Sequence, residues 1–527
     1  MIGSSIKVSL RCLVRSSLLR LNRRTKHALK TFQVTWRADL IQYSGFSMMT
    51  HPTRRSFLRH TALATTALSA SRVLGANDKI RIASIGLGGQ GSGNAGRMAK
   101  VPGVEIAYLC DADTAALDRA KKAYPNAKTT QDLRKVMEDP SIDAVVVSTG
   151  NHWHVLASIW ACQAGKDVYV EKPISHNIWE GRQLVKAARK YNRIVQGGTQ
   201  QRSDPFHLEL KAYLDSGALG KIKYVRCNHY GMRASIGKRE TPITPPTTVD
   251  YNLWLGPAQD IPILREKFHY DWHWTWTTGN GELGNWGPHI LDDLRNVVFR
   301  DKITLPKRVL AGGGRFGWND AGETPNTHFM YIDTGDVPVV MDVHNLPRQK
   351  GMKAGDVYRR RRTSAFMVIE CEGGYYEGGR GGGSAHDASG KVIQKFKGDG
   401  GAKHAANFIS AIRSRKTEDL NGEIEKIHYS SAWCHLGNLS WRLGQVGDYD
   451  LAKAQLKEFQ PWQEVIEDLP AHLTANEITL KPGDLRVGAM LEIDAGKETL
   501  IGPTATPEAL ALLKREYRQG FEVPEMV

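Results

Sequence analysis

A glycine pattern near residue 86 limits the folds open to this chain more than any other feature. Three glycines with the spacing G-x-G-x-x-G follow residues 79–85, a short run rich in isoleucine. In this pattern the glycines permit a tight turn, the approach of a pyrophosphate and close packing of a helix on the strand. The pattern predicts a dinucleotide-binding βα unit, and a plain glycine-rich turn is the alternative. The loop residues expected to contact the cofactor are Gly86, Gly88, Gly89, Gln90 and Gly91.

An acidic residue follows at the distance that this unit requires. Residues 104–110 form a second apolar run, and Asp111 comes directly after it, twenty residues beyond Gly91. A carboxylate at this position accepts hydrogen bonds from the adenosine ribose and repels a 2′-phosphate. No arginine follows Asp111 directly. We therefore expect tightly bound NAD as the cofactor, with NADP as the alternative.

The alternation of strands and helices continues along the chain. Apolar runs predict strands at residues 143–148, 167–170 and 194–196, and helical patterns occupy residues 153–164 and 177–190. This order predicts a doubly wound parallel sheet, in which ligands bind at the carboxyl ends of the strands. The cofactor-binding candidates at those ends are Thr149, Asn151, His154, Glu171 and Lys172.

The net charge of +16 does not indicate a nucleic-acid-binding protein, because it is concentrated at the amino terminus. Thirteen basic side chains and a single acid precede residue 77, and the rest of the chain has no long basic run. The six cysteines form no C-x-x-C pair, which argues against a structural zinc site. No uncharged apolar run reaches the roughly 18 residues that cross a bilayer. We expect no nucleic-acid partner, no metal and no transmembrane anchor.

The amino terminus has the composition of an export signal. Arg54 and Arg55 precede residues 61–70, a mildly apolar run rich in small side chains. This order is typical of a twin-arginine signal, and a chance arginine pair before an alanine-rich helix is the alternative. We expect residues 49–76 to be read by the twin-arginine export machinery, so that the protein is periplasmic or otherwise exported. Residues 1–48 end at a methionine pair, and we expect them to be a non-native extension.

Four segments resemble one family of oxidoreductases. They are the glycine loop at residues 86–91, residues 148–154 (STGNHWH), the Glu-Lys-Pro at residues 171–173, and residues 279–295. Over residues 78–440 the chain resembles the glucose–fructose oxidoreductase, inositol dehydrogenase and rhizopine-catabolism (Gfo/Idh/MocA) proteins. The Glu-Lys-Pro after a strand is a more specific motif than the glycine loop. Twin-arginine signals occur in several members.

The resemblance implies two domains, and a tail of mixed composition comes after them. Residues 78–199 would form a Rossmann-type NAD(P)-binding domain, followed at residues 200–464 by an α/β domain with an open, mostly antiparallel sheet. Residues 465–527 would follow as a separate segment. Because the exposed face of such a sheet commonly pairs subunits, the resemblance also implies a homodimer or homotetramer.

Lys172 is the first residue expected to take part in the chemistry. The resemblance assigns its position to the substrate hydroxyl. Partial burial beside a positively charged nicotinamide ring would lower the pKa of a lysine there toward a useful value. A surface lysine paired with Glu171 is the alternative.

His289 is the second residue expected to act on the substrate. It follows Pro288, so we expect it on the first turn of a helix, oriented by Asp292 three residues later on the same face. Such a histidine is a plausible proton acceptor, and a capping or core histidine is the alternative. The family often has an acid where this chain has Asn285, and an asparagine cannot relay a proton.

Aromatic side chains are dense between residues 269 and 286. Trp276 and Trp286, together with His289, are the candidates for stacking on a sugar ring, and an ordinary aromatic core is the alternative. His269 and His273 are four residues apart, but no acid completes an H-E-x-x-H pattern, so we expect no metal between them.

These residues indicate an exported NAD(P)-dependent oxidoreductase that acts on a hydroxyl of a sugar, polyol or related carbohydrate. One alternative is a glycoside hydrolase that oxidises a ring hydroxyl transiently with its bound cofactor. Another is a nucleotide-binding sensor, against which the intact Lys172 and His289 argue. Net reduction of nicotinamide distinguishes a dehydrogenase from a glycosidase.

Overall fold

The structure is a computed structural model that describes residues 79–352 and 366–526. The segments expected to be an extension and an export signal, residues 1–48 and 49–76, lie outside these ranges. No helix in the described ranges is both long enough and apolar enough to cross a membrane.

The first sheet of the described chain has six strands, all parallel, in the order β3-β2-β1-β4-β5-β6. Its strands are β1 (Ile80–Ile85), β2 (Val104–Cys110), β3 (Lys128–Thr130), β4 (Ala144–Val147), β5 (Asp167–Val170) and β6 (Val195–Gly197). The helices that join them are α1 (Gly89–Ala99), α2 (Thr114–Ala123), α3 (Leu133–Glu138), α4 (His154–Gln163) and α5 (Ile178–Lys190). The predicted Rossmann sheet is confirmed.

The central strands of this sheet form because most of their residues are β-branched or aromatic and are covered on both faces. All four residues of β4 and all four of β5 are buried. After β5 the chain turns into α5 at Asn177, whose side chain accepts the Glu180 amide while its own amide donates to the Glu180 carboxylate at 3.0 Å. This reciprocal cap fixes the loop of residues 171–177 at the carboxyl edge of the sheet.

The second sheet is mixed and mostly antiparallel, as predicted, in the order β14-β13-β12-β11-β7-β10-β9-β8-β16-β15, with β17 on β8 and β18 on β17. Its strands are β7 (Ile222–Tyr230), β8 (Arg308–Gly314), β9 (Thr327–Asp333), β10 (Val339–His344), β11 (Met367–Cys371), β12 (Gly374–Gly379), β13 (Gly382–Asp387), β14 (Val392–Lys397), β15 (Gln445–Gly447), β16 (Leu485–Val487), β17 (Leu491–Asp494) and β18 (Thr499–Ile501). The remaining helices are α6 (Phe206–Asp215), α7 (Tyr251–Leu255), α8 (Gly281–Val297), α9 (His404–Ser414), α10 (Ile424–Arg442), α11 (Tyr449–Ala454), α12 (Gln460–Ala475) and α13 (Pro507–Ala511).

Helices α8 and α10 cover one face of the second sheet. Leu294 and Trp433 from these helices join Met330 of β9 in one hydrophobic core. The helices approach closely at Gly287, where a Cβ would lie 2.8 Å from the sulfur of Cys434. Because α10 also packs on α5, it joins the two domains.

The expected separation of residues 465–527 as a tail is wrong. The boundary falls inside α12, and β16 and β17 of this segment extend the second sheet by pairing with β8. The last residues, including Phe521 and Met526, return to the core of the first domain. The strands are only three or four residues long, so their apolar positions show no readable period.

The outer face of the second sheet is covered over part of its width. Trp462 and Leu469 of α12 pack on Phe329 of β9 and Val340 of β10. The chain therefore covers this half of the face with its own helix, and the subunit pairing implied by the resemblance would have to use the other half.

Candidate active site

The glycine loop between β1 and α1 has no room for side chains at two positions. Gly86 has a φ of +85°, and a Cβ there would lie 2.6 Å from the main-chain oxygen of Ser148. A Cβ on Gly91 would lie 1.9 Å from the oxygen of Gly86. Both positions require glycine if the loop is to keep this geometry.

A cradle for a pyrophosphate lies at the start of α1. A Cβ on Gly88 or Gly89 would meet nothing within 4 Å, and α1 begins at Gly89 without a side-chain cap. The amide groups of an uncapped first turn point outward and bind phosphate oxygens. The donors and the free space therefore fit the pyrophosphate of a dinucleotide.

Asp111 lies at the end of β2 with its carboxylate against the same loop. Its Oδ2 accepts a hydrogen bond from the Leu87 amide at 2.6 Å, and its Oδ1 accepts one from the Asp113 amide at 2.9 Å. Burial raises the pKa of Asp111, and these two hydrogen bonds oppose the rise. Each carboxylate oxygen keeps a further lone pair, so the group can also accept ribose hydroxyls. Together with the loop, Asp111 fits NAD.

The polar residues after β4 mainly join the walls of the site. The ring nitrogens of buried His154 lie 2.6 Å from the oxygen of Pro173 and 3.1 Å from the oxygen of Thr149. Asn151 donates to the side-chain oxygen of Asn280, just before α8, at 3.0 Å. Both ring nitrogens of His154 are thus engaged inside the protein, and Asn151 reaches the second domain.

Glu171 connects the end of β5 to the glycine loop. Its Oε1 accepts hydrogen bonds from Gln90 at 2.8 Å and from Asn94 at 2.9 Å. Its Oε2 accepts the main-chain amide of Lys172 at 3.2 Å. Glu171 therefore does not form the surface ion pair with the Lys172 side chain that was the alternative interpretation.

The side chain of Lys172 extends toward the second domain instead. Its Nζ donates to the main-chain oxygen and to the side-chain Oδ1 of Asn285, both at 2.9 Å. Burial lowers the pKa of Lys172, while the carboxylates of Glu171 and Glu282 oppose that shift. The two domains meet at this amine.

The helix that carries Asn285 and His289 starts earlier than expected. It begins at Gly281, so Pro288 lies inside the helix and His289 lies in its middle, and the prediction of a helix start at Pro288 is wrong. The glycines at 281, 284 and 287 conceal the helical pattern. Asn285 and His289 are four residues apart and therefore lie on one face of α8.

The expected pair of His289 and Asp292 is not formed. Asp292 accepts two hydrogen bonds from the buried Arg202, at 2.7 and 2.8 Å, and one from Ser430 at 2.6 Å. A buried guanidinium needs a carboxylate partner, so Asp292 pairs with Arg202 and not with His289. Nδ1 of His289 is buried with no hydrogen-bond partner in the described chain. Burial, and then the charge of Lys172, place the pKa of His289 well below its ordinary value, so the ring is neutral.

A buried carboxylate that the sequence analysis missed lies three residues before Asn285. Oε1 of Glu282 accepts hydrogen bonds from Arg233, at 2.9 and 2.8 Å, and lies 3.1 Å from Nε2 of His229. Its Oε2 accepts the Asn285 amide at 3.2 Å. Burial opposes ionisation, but the His229 hydrogen bond and the Arg233 charge lower the pKa of Glu282 to about 2. The residue that holds Lys172 is thus itself held by an ionised group.

The two tryptophans proposed to contact substrate lie in different surroundings. Trp286 stacks on His229, with centroids 4.5 Å and planes 15° apart, and its centroid is 5.8 Å from that of His289. Trp276 lies elsewhere, with the Arg442 guanidinium 5.1 Å from its ring. The structure brings Trp286 to His289 and does not bring Trp276 there.

Comparison with protein families gives consecutive matches. Residues 80–199 match the Gfo/Idh/MocA model described as "Oxidoreductase family, NAD-binding Rossmann fold". Residues 209–360 match the model described as "Oxidoreductase family, C-terminal alpha/beta domain" of the same group. The two matches together cover about half of the chain and fall on the two domains of the structure.

Curated relatives match less than a third of the chain. The scyllo-inositol 2-dehydrogenase (NAD(+)) of Bacillus subtilis is 30% identical over 149 residues, which are 28% of this chain and 44% of that protein. Inositol 2-dehydrogenase 4 of Saccharopolyspora erythraea is 31% identical over 163 residues, 31% of this chain and 48% of that protein. The chain therefore spans less than half the length of these relatives.

Among solved structures, the WlbA dehydrogenase from Bordetella pertussis, in complex with NADH and UDP-GlcNAcA, is similar with a TM-score of 0.50. Its sequence is 19% identical, and the match covers 68% of this chain and 95% of that one. At this identity the likeness concerns the fold alone.

Proposed function

Because the chain belongs to the Gfo/Idh/MocA oxidoreductase family, we propose that it is an NAD-dependent oxidoreductase acting on a hydroxyl of a sugar, polyol or related carbohydrate. The observation that carries the proposal is the contact of Lys172 with Asn285, which sets a buried amine at the edge of the Rossmann sheet, beside His289. The inositol dehydrogenases to which part of the chain is similar support a polyol or sugar as the substrate.

The hydrogen bonds of Lys172 suit it to accept a proton. A neutral amine has two N–H donors and one lone pair, and Asn285 offers two acceptors at 2.9 Å. With both donors used, the lone pair is left for the substrate hydroxyl. Burial lowers the pKa of Lys172 and so favours the neutral amine. When bound, NAD would accept the hydride that leaves the carbon bearing this hydroxyl.

His289 provides a second polar group for the substrate oxygen. Its neutral imidazole lies one turn beyond Asn285 on α8, so it shares the face that points to Lys172. A neutral imidazole can donate a hydrogen bond to an oxygen that gains negative charge or accept one from a hydroxyl. Trp286, which stacks on His229, adds apolar surface to the wall of the site beside His289.

The test uses the full chain with the nucleotide that co-purifies with it. The nucleotide is identified after release, and myo-inositol, scyllo-inositol and common aldoses are screened for nicotinamide reduction by absorbance. We expect reduction with at least one of them, and loss of that reduction in Lys172→Ala with the nucleotide still bound. Cleavage of a nitrophenyl glycoside without net reduction would favour the glycosidase instead. No turnover of either kind would contradict the proposal.

Export by the twin-arginine route is also a proposal, supported by Arg54 and Arg55 ahead of a short, weakly apolar run. Replacement of both arginines by lysine should leave the protein inside the cell, because lysine lacks the planar guanidinium. Export of the double variant at the normal level would contradict it.

Assembly into a homodimer or homotetramer through the second sheet is proposed as well. Since α12 covers β9 and β10, the contact would use the part of the outer face nearer β14, where Val392 and Ile393 are exposed. Light scattering on the full chain, with Ile393→Asp as the variant, tests this. A monomer, or an unchanged oligomer in the variant, would contradict the proposed surface.

A further inference from the structure

An exposed arginine lies at the tip of the β12–β13 hairpin, beside the candidate site. Arg380 precedes Gly381, whose φ of +86° makes the tight turn possible. The guanidinium carbon lies 5.7 Å from the centroid of the Trp286 ring, and Nη2 donates to Oε1 of Gln200 at 3.3 Å. Gln200 in turn donates to the hydroxyl of Tyr169 on β5. Arg380 therefore lies between the end of the Rossmann sheet and the aromatic wall of the site.

The guanidinium has no carboxylate partner among the described residues. Two other arginines have such a partner: Arg233 pairs with Glu282, and Arg202 pairs with Asp292. A guanidinium has five N–H donors in a planar fork, and Gln200 uses one of them. Arg380 thus presents unused donors and an uncompensated charge at the mouth of the site.

The charge of Arg380 reaches the groups proposed to act on the substrate. Burial is the largest cause that lowers the pKa of Lys172 and of His289, and the charge of Arg380 is among the charges that lower both pKa values further. It also opposes the rise that burial causes in the pKa of Asp293, one turn beyond His289. Arg380 is therefore within electrostatic range of a substrate held by Lys172.

We propose that Arg380 binds an anionic group of the substrate, a carboxylate or a phosphate carried by the carbohydrate, and so selects acidic sugars over neutral ones. The guanidinium fork matches the two oxygens of either group, and the Trp286 ring beneath it limits its orientation. The inference rests on the proposed function, since it names the substrate class of the same site.

The probes are D-glucuronate, D-glucose 6-phosphate and D-glucose, which share a pyranose ring and differ in charge. Binding of each to the full chain with its co-purified nucleotide is measured by titration calorimetry. We expect at least one charged sugar to bind about 10- to 100-fold more tightly than glucose, the range for a hydrogen-bonded charge. Tighter binding of glucuronate would identify a carboxylate, and tighter binding of the phosphate ester would identify a phosphate.

The variants separate Arg380 from general charge effects. Arg380→Gln should remove the preference for the charged sugar, and Arg380→Lys should keep part of it, because lysine keeps the charge and loses the fork. Lys395→Gln removes one exposed positive charge from β14 and should leave the preference unchanged. Thermal unfolding of each variant checks that the hairpin change leaves the protein folded.

Two results would overturn the assignment of Arg380. One is equal binding, or no binding, of the three sugars by the wild-type protein, and the other is a preference that survives Arg380→Gln. Loss of bound nucleotide in Arg380→Gln with an unchanged sugar preference would assign the arginine to the cofactor instead.

Binding does not require turnover, so the two proposals can fail separately. A charged-sugar preference that depends on Arg380, without nicotinamide reduction by any sugar, would contradict the oxidoreductase and support the anion site. Reduction by sugars with no preference for charge would support the oxidoreductase and contradict the anion site.

Discussion

The two sides of the candidate site are built in different ways. The cofactor side consists of backbone amides and glycines between residues 86 and 91, with Asp111 twenty residues later. The substrate side consists of buried and partly buried charged side chains from separate elements, with Arg233 after β7 and Glu282 in α8 about fifty residues apart. A turn of backbone leaves a contiguous motif in the sequence, whereas a network of side chains leaves none.

The difference also concerns how each side is stabilised. On the cofactor side, a Cβ at Gly86 or Gly91 would collide with the main chain, so the geometry depends on the absence of side chains. On the substrate side, the Glu282 side chain is fully buried and is held by Arg233 and His229. Loss of Arg233 there would leave the buried charge of Glu282 without its ion-pair partner.

The largest effect is expected where the two sides meet, at Lys172. Lys172→Ala removes the amine bound to Asn285, and we expect turnover to fall about 10²- to 10⁴-fold, the range for a positioned acid–base group. His289→Ala should cost a similar factor. If the two act on one proton, the double variant loses much less than the product of the single losses.

Nucleotide content serves as the control for these variants, because the cofactor side does not depend on either side chain. Turnover on an identified carbohydrate is measured for all four proteins, with bound nucleotide quantified in each. Near-normal turnover in Lys172→Ala with the cofactor bound would end the claim that this amine takes part in the reaction.

The second prediction concerns the stability of the substrate side. Glu282→Ala removes a fully buried carboxylate and its hydrogen bonds to the partly buried Arg233, and we expect the free energy of unfolding to fall by about 2 to 3 kcal/mol. Urea unfolding measures this, with Glu418→Ala as the control on an exposed glutamate, for which about 0.5 kcal/mol or less is expected. Equal effects of the two substitutions would contradict the network.

Glu282 also gives this prediction a pH dependence. Its pKa in the folded protein is about 2, below the ordinary value of 4.5, so its contribution to stability is present above pH 4.5. The contribution is lost as the pH falls from about 4.5 toward 2, because protonation then favours the unfolded chain. Wild-type protein should lose stability across this window relative to Glu282→Gln.

Much of the first domain could be predicted because its signals are local. The strands β2 and β5 and the start of α5 at Ile178 agree with the sequence patterns to within a residue. The strand β3 was missed, since its three residues, Lys-Thr-Thr, lie at the sheet edge and have no apolar period. The Rossmann sheet could be predicted because buried parallel strands appear in the sequence as continuous apolar runs.

The substrate side could not be read in the same way. Glu282 and Arg380 acquire their neighbours only through the tertiary fold: Glu282 meets Arg233, which follows β7, and Arg380 meets Trp286 of α8. Asp292 was predicted beside His289 from helical spacing alone, but the pairing went to Arg202, which comes from a different element. Spacing along a helix shows which residues share a face and not which distant partner competes for them.

The third prediction tests the cofactor side. Asp111→Ala removes the carboxylate that faces the glycine loop, and we expect NAD binding to weaken by about 1 to 3 kcal/mol and discrimination against NADP to relax. Fluorescence titration with both nucleotides measures this, and Asp118→Ala changes an exposed aspartate of α2 as the control. Tighter binding of NADP than of NAD by the wild-type protein would show that Asp111 does not face the ribose.

The smallest effect is expected from a change of one charge at the junction of the two sides. Asn285→Asp puts a carboxylate where the amide oxygen now lies 2.9 Å from Nζ of Lys172. A negative charge so close favours the ammonium form and raises the pKa of Lys172, which burial lowers in the wild-type protein.

If the neutral amine accepts the substrate proton, the rate rises with pH as Lys172 loses its proton, and the variant should need a higher pH to reach the same fraction of its maximum. We expect a loss of a few-fold to about tenfold in kcat/KM near neutral pH, recovered in part in alkaline buffer. The measurement is the pH profile of kcat/KM for both proteins, with Gln394→Glu on exposed β14 as the matched amide-to-carboxylate control. A profile that stays in place, or moves to lower pH, would show that Lys172 acts as a charged donor and not as the proton acceptor.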